Sequence, residues 1–343
     1  MRALVKYESG AGNVEIQEVE EPPCGQGQVK IAVGYCGICG TDLSVYNDKF
    51  RNYPPVILGH EFSGTVVETG DGVGRAQPGD RVAVLPASAV TCGECLYCRT
   101  GRFMFCPQRR GMGHGVNGAF TRFAVVNQNQ VYHLPKDLPL EEGALWEPFA
   151  AAVQPVHEIS GVQLGDVALV SGPGPIGLLC LKLLVAEGIR TIVAVTARDT
   201  LRSEAARSIG ADHVVNVDSE DLKEVILEET EGQGVDVAFE CAGTAASAGN
   251  CLDGLRPMGT YVQVGIFGNQ VQLPFDTIIY KQLVVRGSVG YTVETWQRVQ
   301  RILYQGHVQL SDIISHKLPL DQWQEGFGLC QKQAALKVLL FPS

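Results

Sequence analysis

One short stretch, Ser171-Gly172-Pro173-Gly174-Pro175-Ile176-Gly177, constrains the fold more than any other. It follows the continuous apolar run DVALV and precedes LLCLKLLVAEG, which has helical length. Glycines at 172, 174 and 177 make a GxGxxG pattern between a buried strand and a helix. The first glycine permits a tight turn, the second lets the backbone approach a pyrophosphate, and the third lets the helix pack closely on the strand. The amides of the helix N-terminus then face phosphate oxygens. Pro175 suits the first helical turn, where no backbone donor is needed. In a chain with 40 glycines such a turn is weak evidence alone, and its place at the opening of a βαβ unit is what makes Gly172, Pro173, Gly174, Pro175, Ile176 and Gly177 candidate dinucleotide contacts.

The alternation continues through TIVAV, LRSEAARSIG, HVVNV, VILEETEGQG, VDVAFECAG, CLDGLRPMG and TYVQVGIFG to LVVRGSVG. Strands alternating with helices imply a parallel sheet with right-handed crossovers, and apolar strands without alternation imply burial on both faces. The expected fold is therefore α/β: a Rossmann-type doubly wound parallel sheet over 153–290, joined to a second domain. Val264 and Gly265, in TYVQVGIFG, are counted with the cofactor contacts. Residues 1–152 are rich in glycine, proline and short β-type runs such as VKIAVGY and FTRFAVV, the pattern of an irregular, mostly-β domain. Residues 291–343 are too few to fold alone and are expected to return to the first domain.

The second strand of the doubly wound region ends at Ala197-Arg198-Asp199-Thr200-Leu201-Arg202. An NAD enzyme usually carries an acidic residue here to hold the ribose 2′-hydroxyl. Ala197 removes the repulsion a 2′-phosphate would meet, and Arg198 and Arg202 are suited to pair with it through forked charged bonds. The expectation is NADP(H) in preference to NAD(H). A one-residue slip that puts Asp199 on the ribose, or two arginines on a solvated helix face, are the competing readings.

The 343 residues carry 27 basic and 37 acidic side chains, a formal charge of -10, which argues against non-specific nucleic-acid binding. The opening MRALVKYESG lacks the apolar core of a signal peptide, and no apolar run is long enough to span a membrane. The expected location is the cytoplasm, where thiols stay reduced and clustered cysteines point to metal. Cys92, Cys95, Cys98 and Cys106 follow CxxCxxCx7C, a spacing that lets four thiolates close a tetrahedron around Zn²⁺. Such a site has no open position and is expected to be structural, with an iron–sulfur cluster or free thiols as the competing readings. A second set lies apart from it: Cys36 and Cys39, then His60-Glu61, then Glu147. A thiolate, an imidazole and a carboxylate hold zinc while leaving a position for substrate oxygen, the catalytic arrangement.

With GICGTD at 37–42, GHEFSG at 59–64, PGDRV at 78–82, the four-cysteine loop, WEP at 146–148 and SGPGPIG at 171–177, the chain resembles the zinc-dependent medium-chain dehydrogenase/reductase family over essentially its whole length. It looks most like the polyol branch of sorbitol, galactitol-phosphate and threonine dehydrogenases. The resemblance implies a GroES-like fold for the first domain and two zinc ions per chain. Cys39 and His60 match zinc ligands. Glu61 is a ligand in some members and a nearby carboxylate in others, and Glu147 stands where polyol enzymes have glutamate; the sequence leaves open which one binds directly. Thr41 matches the hydroxyl that relays the substrate proton, and Asp42 the position that orients His60. Where many relatives have a relay histidine this chain has Ser44, so water, Ser44 or the cofactor ribose is left as the proton route. Gly290 stands where sorbitol enzymes carry an arginine, which weakens a claim of sorbitol itself.

The implied activity is hydride transfer between NADP(H) and a secondary alcohol or ketone, such as a polyol or sugar, by a homo-oligomer, tetramer or dimer. The alternatives are a zinc-free quinone or enoyl reductase on the same scaffold and an inactive cofactor-binding sensor. His114, His133, His157, His213, His307 and His316 read as structural or surface residues. Tyr46, Phe50 and Trp146 are candidates to line a substrate cleft, with core packing as the plainer reading. Lys281, Arg286 and Arg109-Arg110 are candidates to recognise an anionic substrate, with a solvated surface as the plainer reading.

Overall fold

The computed structural model describes residues 1–342, which divide into two compact units: 1–147 with 292–342, and 148–291.

In the second unit six strands form one wholly parallel sheet in the order His213–Asn216, Arg190–Val195, Val167–Ser171, Val235–Glu240, Leu255–Gln263, Val284–Gly287. The strand that comes first in the chain, Val167–Ser171, is therefore central and the order reverses beside it, as in doubly wound dinucleotide folds. The apolar strands read from the sequence are buried on both faces: Ala168, Leu169 and Val170 have no exposed surface. The helices Pro175–Ala186, Thr200–Ile209 and Ala245–Gly254 cover the sheet, the first of them apolar nearly all round and largely buried. A left-handed glycine, Gly210 at φ 108°, ends the second of these, the usual device for turning out of a helix.

The first unit is mostly β. Its larger sheet runs Ile314–Pro319, Lys337–Phe341, Gln28–Gly37, Glu61–Thr69, Arg81–Val84, Val131–His133, with Phe123–Asn127 also pairing with Gln28–Gly37. A three-stranded sheet places Arg2–Lys6 between Val14–Glu18 and Val56–Ile57. Strand Lys337–Phe341, far along the chain, thus lies between Ile314–Pro319 and Gln28–Gly37, in a sheet whose remaining strands come from the first 133 residues. Val338, Leu339 and Leu340 are at most 1% exposed there.

Candidate active site

Two groups of metal-ligating side chains assemble among the described residues, both in the first unit: Cys92, Cys95, Cys98 and Cys106, and Cys39, His60 and Glu61. Within each group the ligand atoms lie within 4.8 Å of one another.

In the four-cysteine loop the Sγ atoms of Cys95 and Cys98 are 3.5 Å apart, those of Cys106 and Cys92 3.7 Å, and those of Cys92 and Cys98 3.8 Å. These distances exclude disulfides, and every cysteine is free. Four thiolates about 2.3 Å from a tetrahedral Zn²⁺ are about 3.8 Å from one another, so the loop fits that ion without rearrangement. The amides of Cys95 and Glu94 point at the Cys92 sulfur and lower its pKa to about 6, the direction that favours thiolate. The loop has almost no core of its own: Leu96 is 70% exposed and Phe105 52%.

The second group is built by three neighbouring elements. Cys39 caps the short helix Gly40–Tyr46, and Asp42, the third residue of that helix, reaches back to accept from the Cys39 amide at 2.8 Å. The other oxygen of Asp42 lies 3.6 Å from His60 Nδ1 and accepts from the Gly59 amide at 3.3 Å. One buried carboxylate therefore fixes both Cys39 and His60, as metal sites generally require of the groups behind their ligands. Burial pushes the His60 pKa down, but Asp42 and then Cys39 reverse this and raise it well above 6.5.

Glu61 follows His60 directly and opens strand Glu61–Thr69. It sits opposite Gly37 in the antiparallel pair, and a Cβ on Gly37 would come within 2.2 Å of Glu61 Oε2. The missing side chain makes room for an ion pair that sequence reasoning did not find: the ammonium of Lys337 meets Glu61 Oε2 in a short contact and donates to the Ile38 carbonyl at 3.0 Å. Lys337 is 4% exposed. Burial pulls its pKa down, but Glu61 beside it, then Cys39, hold it far above the ordinary lysine value. The only signal in the sequence was a lysine opening the apolar run KVLLF.

Other expected residues fall at different distances from this centre. Thr41 lies half-buried in the first turn after Cys39. Ser44 donates its hydroxyl proton to the Gly40 carbonyl at 3.0 Å, so in this structure that proton is engaged by the backbone. Glu147 belongs to the start of helix Trp146–Val153 and is outside the Cys39–His60–Glu61 group. Cys36 is buried, with its thiol pushed up by burial and then by Asp42, and packs beneath Gly59. Trp146 has no exposed surface and stacks on Trp296 at 6.0 Å, so it is core and does not line a cleft. Tyr46 packs on Trp323 and Phe327. His133, His157 and His213 each pair with one carboxylate, of Asp80, Glu187 and Glu229.

In the second unit each glycine of the loop has its own physical reason. Gly172, at φ 92°, turns the chain where a Cβ would strike Ala242 at 2.6 Å. Gly174 caps helix Pro175–Ala186 and faces open space, with nothing within 4 Å of its Cβ position. A Cβ on Gly177 would lie 2.2 Å from the Gly172 carbonyl oxygen. This is a tight turn, an open cradle and a close packing contact in sequence order, which fits a pyrophosphate at the helix N-terminus. Pro173, Pro175 and Ile176 complete the loop.

Glu240, wholly buried at the end of the adjacent strand, was not singled out in the sequence. Its carboxylate accepts from the amides of Ala242 (3.0 Å) and Gly243 (2.9 Å) and from Gln263 Nε2 (2.6 Å). Its carbonyl accepts from the amides of Val264 (2.9 Å) and Gly265 (2.8 Å), which fixes both expected cofactor contacts. At the second strand the Ala197 amide donates to Asp218 at 2.8 Å, Arg198 is exposed, and Arg202 pairs with Asp199 at 3.6 Å. Two other basic candidates are structural. Lys281 donates to the carbonyls of Leu252, Asp253 and Leu255, and Arg286 to that of Ile159.

Comparison with known proteins bears on this arrangement. Residues 25–136 match the alcohol dehydrogenase GroES-like domain, and residues 175–304 the zinc-binding dehydrogenase family. The sorbitol dehydrogenase of Halalkalibacterium halodurans is 35% identical over 343 residues, covering 100% of this chain and 99% of that protein. The D-arabitol-phosphate dehydrogenase of Enterococcus avium is 32% identical, covering 99% of this chain and 97% of that protein. Among solved structures, a zinc-binding dehydrogenase from Sinorhizobium meliloti 1021 bound to NADP superposes with a TM-score of 0.92 at 30% identity, covering 99% of each chain. The chain is therefore an oxidoreductase belonging to the zinc-dependent medium-chain alcohol dehydrogenase family.

Proposed function

We propose that the protein is a dehydrogenase that transfers hydride between NADP(H) and a secondary alcohol or ketone of the polyol or sugar class, with one catalytic and one structural zinc per chain. The observation that carries this reading is the Cys39, His60 and Glu61 donor set, gathered within 4.8 Å and braced by Asp42, in a chain that also presents the Gly172–Gly177 cradle. Relatives support the substrate class, being named for sorbitol and for arabitol phosphate.

In this reading Cys39 and His60 hold the catalytic zinc, with Glu61 or Glu147 as the carboxylate. Zinc bound there supplies Lewis acidity toward a substrate oxygen, and the nicotinamide supplies the hydride acceptor or donor. The chain's own residues do the rest. Asp42 keeps the His60 ring and the Cys39 backbone in place. Thr41, two residues after Cys39, accepts the hydroxyl proton of the alcohol while passing its own proton along a hydrogen-bonded chain. Ser44 passes it on only after releasing the Gly40 carbonyl, so water or the cofactor ribose is the more direct exit. Lys337 neutralises Glu61 and lets a carboxylate stay ionised in a buried place. Cys92, Cys95, Cys98 and Cys106 bind the structural zinc.

NADP preference is supported by Ala197, by Arg198, which forms no ion pair among the described residues, and by the NADP in the Sinorhizobium meliloti structure. Asp199 is drawn toward Arg202, which disfavours its use on a ribose hydroxyl. Assembly as a homo-oligomer and a cytoplasmic setting belong to the same reading. The test is turnover of a panel of polyols, sugar phosphates, amino alcohols and ketones with NADP and with NAD, alongside zinc content. Two zincs per chain and NADP-linked oxidation, abolished in Cys39→Ala with nucleotide binding retained, uphold the proposal. Full activity in Cys39→Ala refutes the catalytic assignment.

A further inference from the structure

We infer that segments 50–53 and 109–114 of the first unit form a subsite for an anionic group on the substrate, a phosphate or a carboxylate, with Arg51 and Arg110 supplying the charge. This rests on the dehydrogenase reading only in taking the ligand to be a substrate.

The two segments are fastened to each other. The Tyr53 amide donates to the His114 carbonyl at 2.9 Å, the His114 ring bonds the Arg51 backbone, and the Phe50 ring meets the His114 ring edge-on at 5.0 Å. Tyr53 then carries both cations: the guanidinium carbon of Arg110 lies 4.3 Å from its ring centroid and that of Arg51 5.1 Å. Contacts of this kind hold otherwise mobile side chains against an aromatic face. A guanidinium held over a ring keeps N–H donors for other partners, and its fork suits two oxygens of a carboxylate or phosphate. Neither Arg51 nor Arg110 forms an ion pair among the described residues. Arg109 adds charge close by: its Nη2 and His114 Nε2 both crowd the Cβ position of Gly111, at 3.1 and 2.8 Å. A cluster of positive charge with two unpaired members stands out on a chain whose formal charge is -10.

The patch also adjoins the candidate metal centre. A Cβ on Gly113 would lie 3.1 Å from the backbone atoms of Gly59, so the loop bearing the arginines rests on the residue just before His60. His60 and His114 each lie one residue, about 3.8 Å of chain, beyond that contact. This contact sets the arginine-bearing segment against the loop that leads into His60, the side on which we place the far end of a small polyol.

The test compares sorbitol, sorbitol 6-phosphate and gluconate as substrates of the zinc-loaded protein, each with NADP and with NAD. The expected result is a kcat/KM at least tenfold higher for the phosphate or the carboxylate than for sorbitol, and which of the two wins identifies the anion. In the double variant Arg51→Gln, Arg110→Gln that ratio falls toward one, and Arg51→Lys, Arg110→Lys restores part of it. Equal kcat/KM for all three in the unmodified protein, or a double variant that lowers all three by one common factor, overturns the inference. If none of the three is oxidised, the dehydrogenase reading falls separately, and calorimetric titration with inorganic phosphate decides the subsite. Saturable binding weakened at least tenfold by the double Gln variant upholds it, and no binding overturns it.

Discussion

Asp42 commits one carboxylate oxygen to the Cys39 amide and the other to Gly59 and His60, so two ligands from separate elements share one brace. Near-isosteric Asp42→Asn puts an amide donor where an acceptor is needed. Loss of such a partner typically costs ten- to a hundredfold in metal affinity. The expected outcome is that drop at one zinc only, measured by competition with a chelator, while the four-cysteine zinc is retained. Equal weakening of both would mean that the substitution acts through general unfolding. Cys39 and His60 were legible in the sequence as candidates because their residue types suit a metal, and Asp42 became one only through the family resemblance of its motif. Lys337 was not, because it bonds Ile38 across 299 residues of chain. Only the register of strand Lys337–Phe341 beside Gln28–Gly37 brings it to Glu61, and register is a property of the folded sheet.

At the scale of elements, the glycine loop separates two requirements that sequence alone merges. Gly177 is needed by the fold, since a Cβ there collides with backbone, whereas Gly174 faces open space, with nothing within 4 Å of its Cβ position. Gly177→Ala is expected to destabilise the second unit by about 1–3 kcal/mol, the usual cost of overpacking. Gly174→Ala is expected to leave thermal stability within about 0.5 kcal/mol, as at an exposed position. It should nonetheless weaken NADP binding severalfold. Thermal unfolding read beside a fluorescence titration of NADPH checks both. Matching losses of stability in the two variants would show that the cradle is merely packing. The strand–loop–helix order was readable because its periodicity and glycines are local. The bracing of Val264 and Gly265 was not, because it depends on Glu240, a carboxylate that looked like an ordinary strand end until burial and its amide donors were seen.

The whole molecule differs between its units in how the chain is used. All six strands of the doubly wound sheet come from the unbroken stretch 148–291, whereas the sheet carrying both metal groups needs Lys337–Phe341 in its interior. Val338, Leu339 and Leu340 are essentially fully buried there, and each such side chain contributes about 1.5–3 kcal/mol by leaving water. Together that is on the order of 5–9 kcal/mol, comparable to the entire net stability of a typical domain. Removing the strand also strips Glu61 of the buried Lys337 ammonium that pairs with it, which adds to the loss. A chain ending at residue 336 is therefore expected to lose the folded first unit and with it zinc at both groups. A separate chain of residues 148–291 is expected to fold and to bind NADPH. Limited proteolysis, zinc content and NADPH titration of the two chains check this. Zinc retained at Cys39 and His60 in the truncated chain would show that the sheet closes without its last strand. Composition and motif spacing could nominate metal residues and a nucleotide loop, but not this asymmetry, because it arises from which distant segments share a sheet.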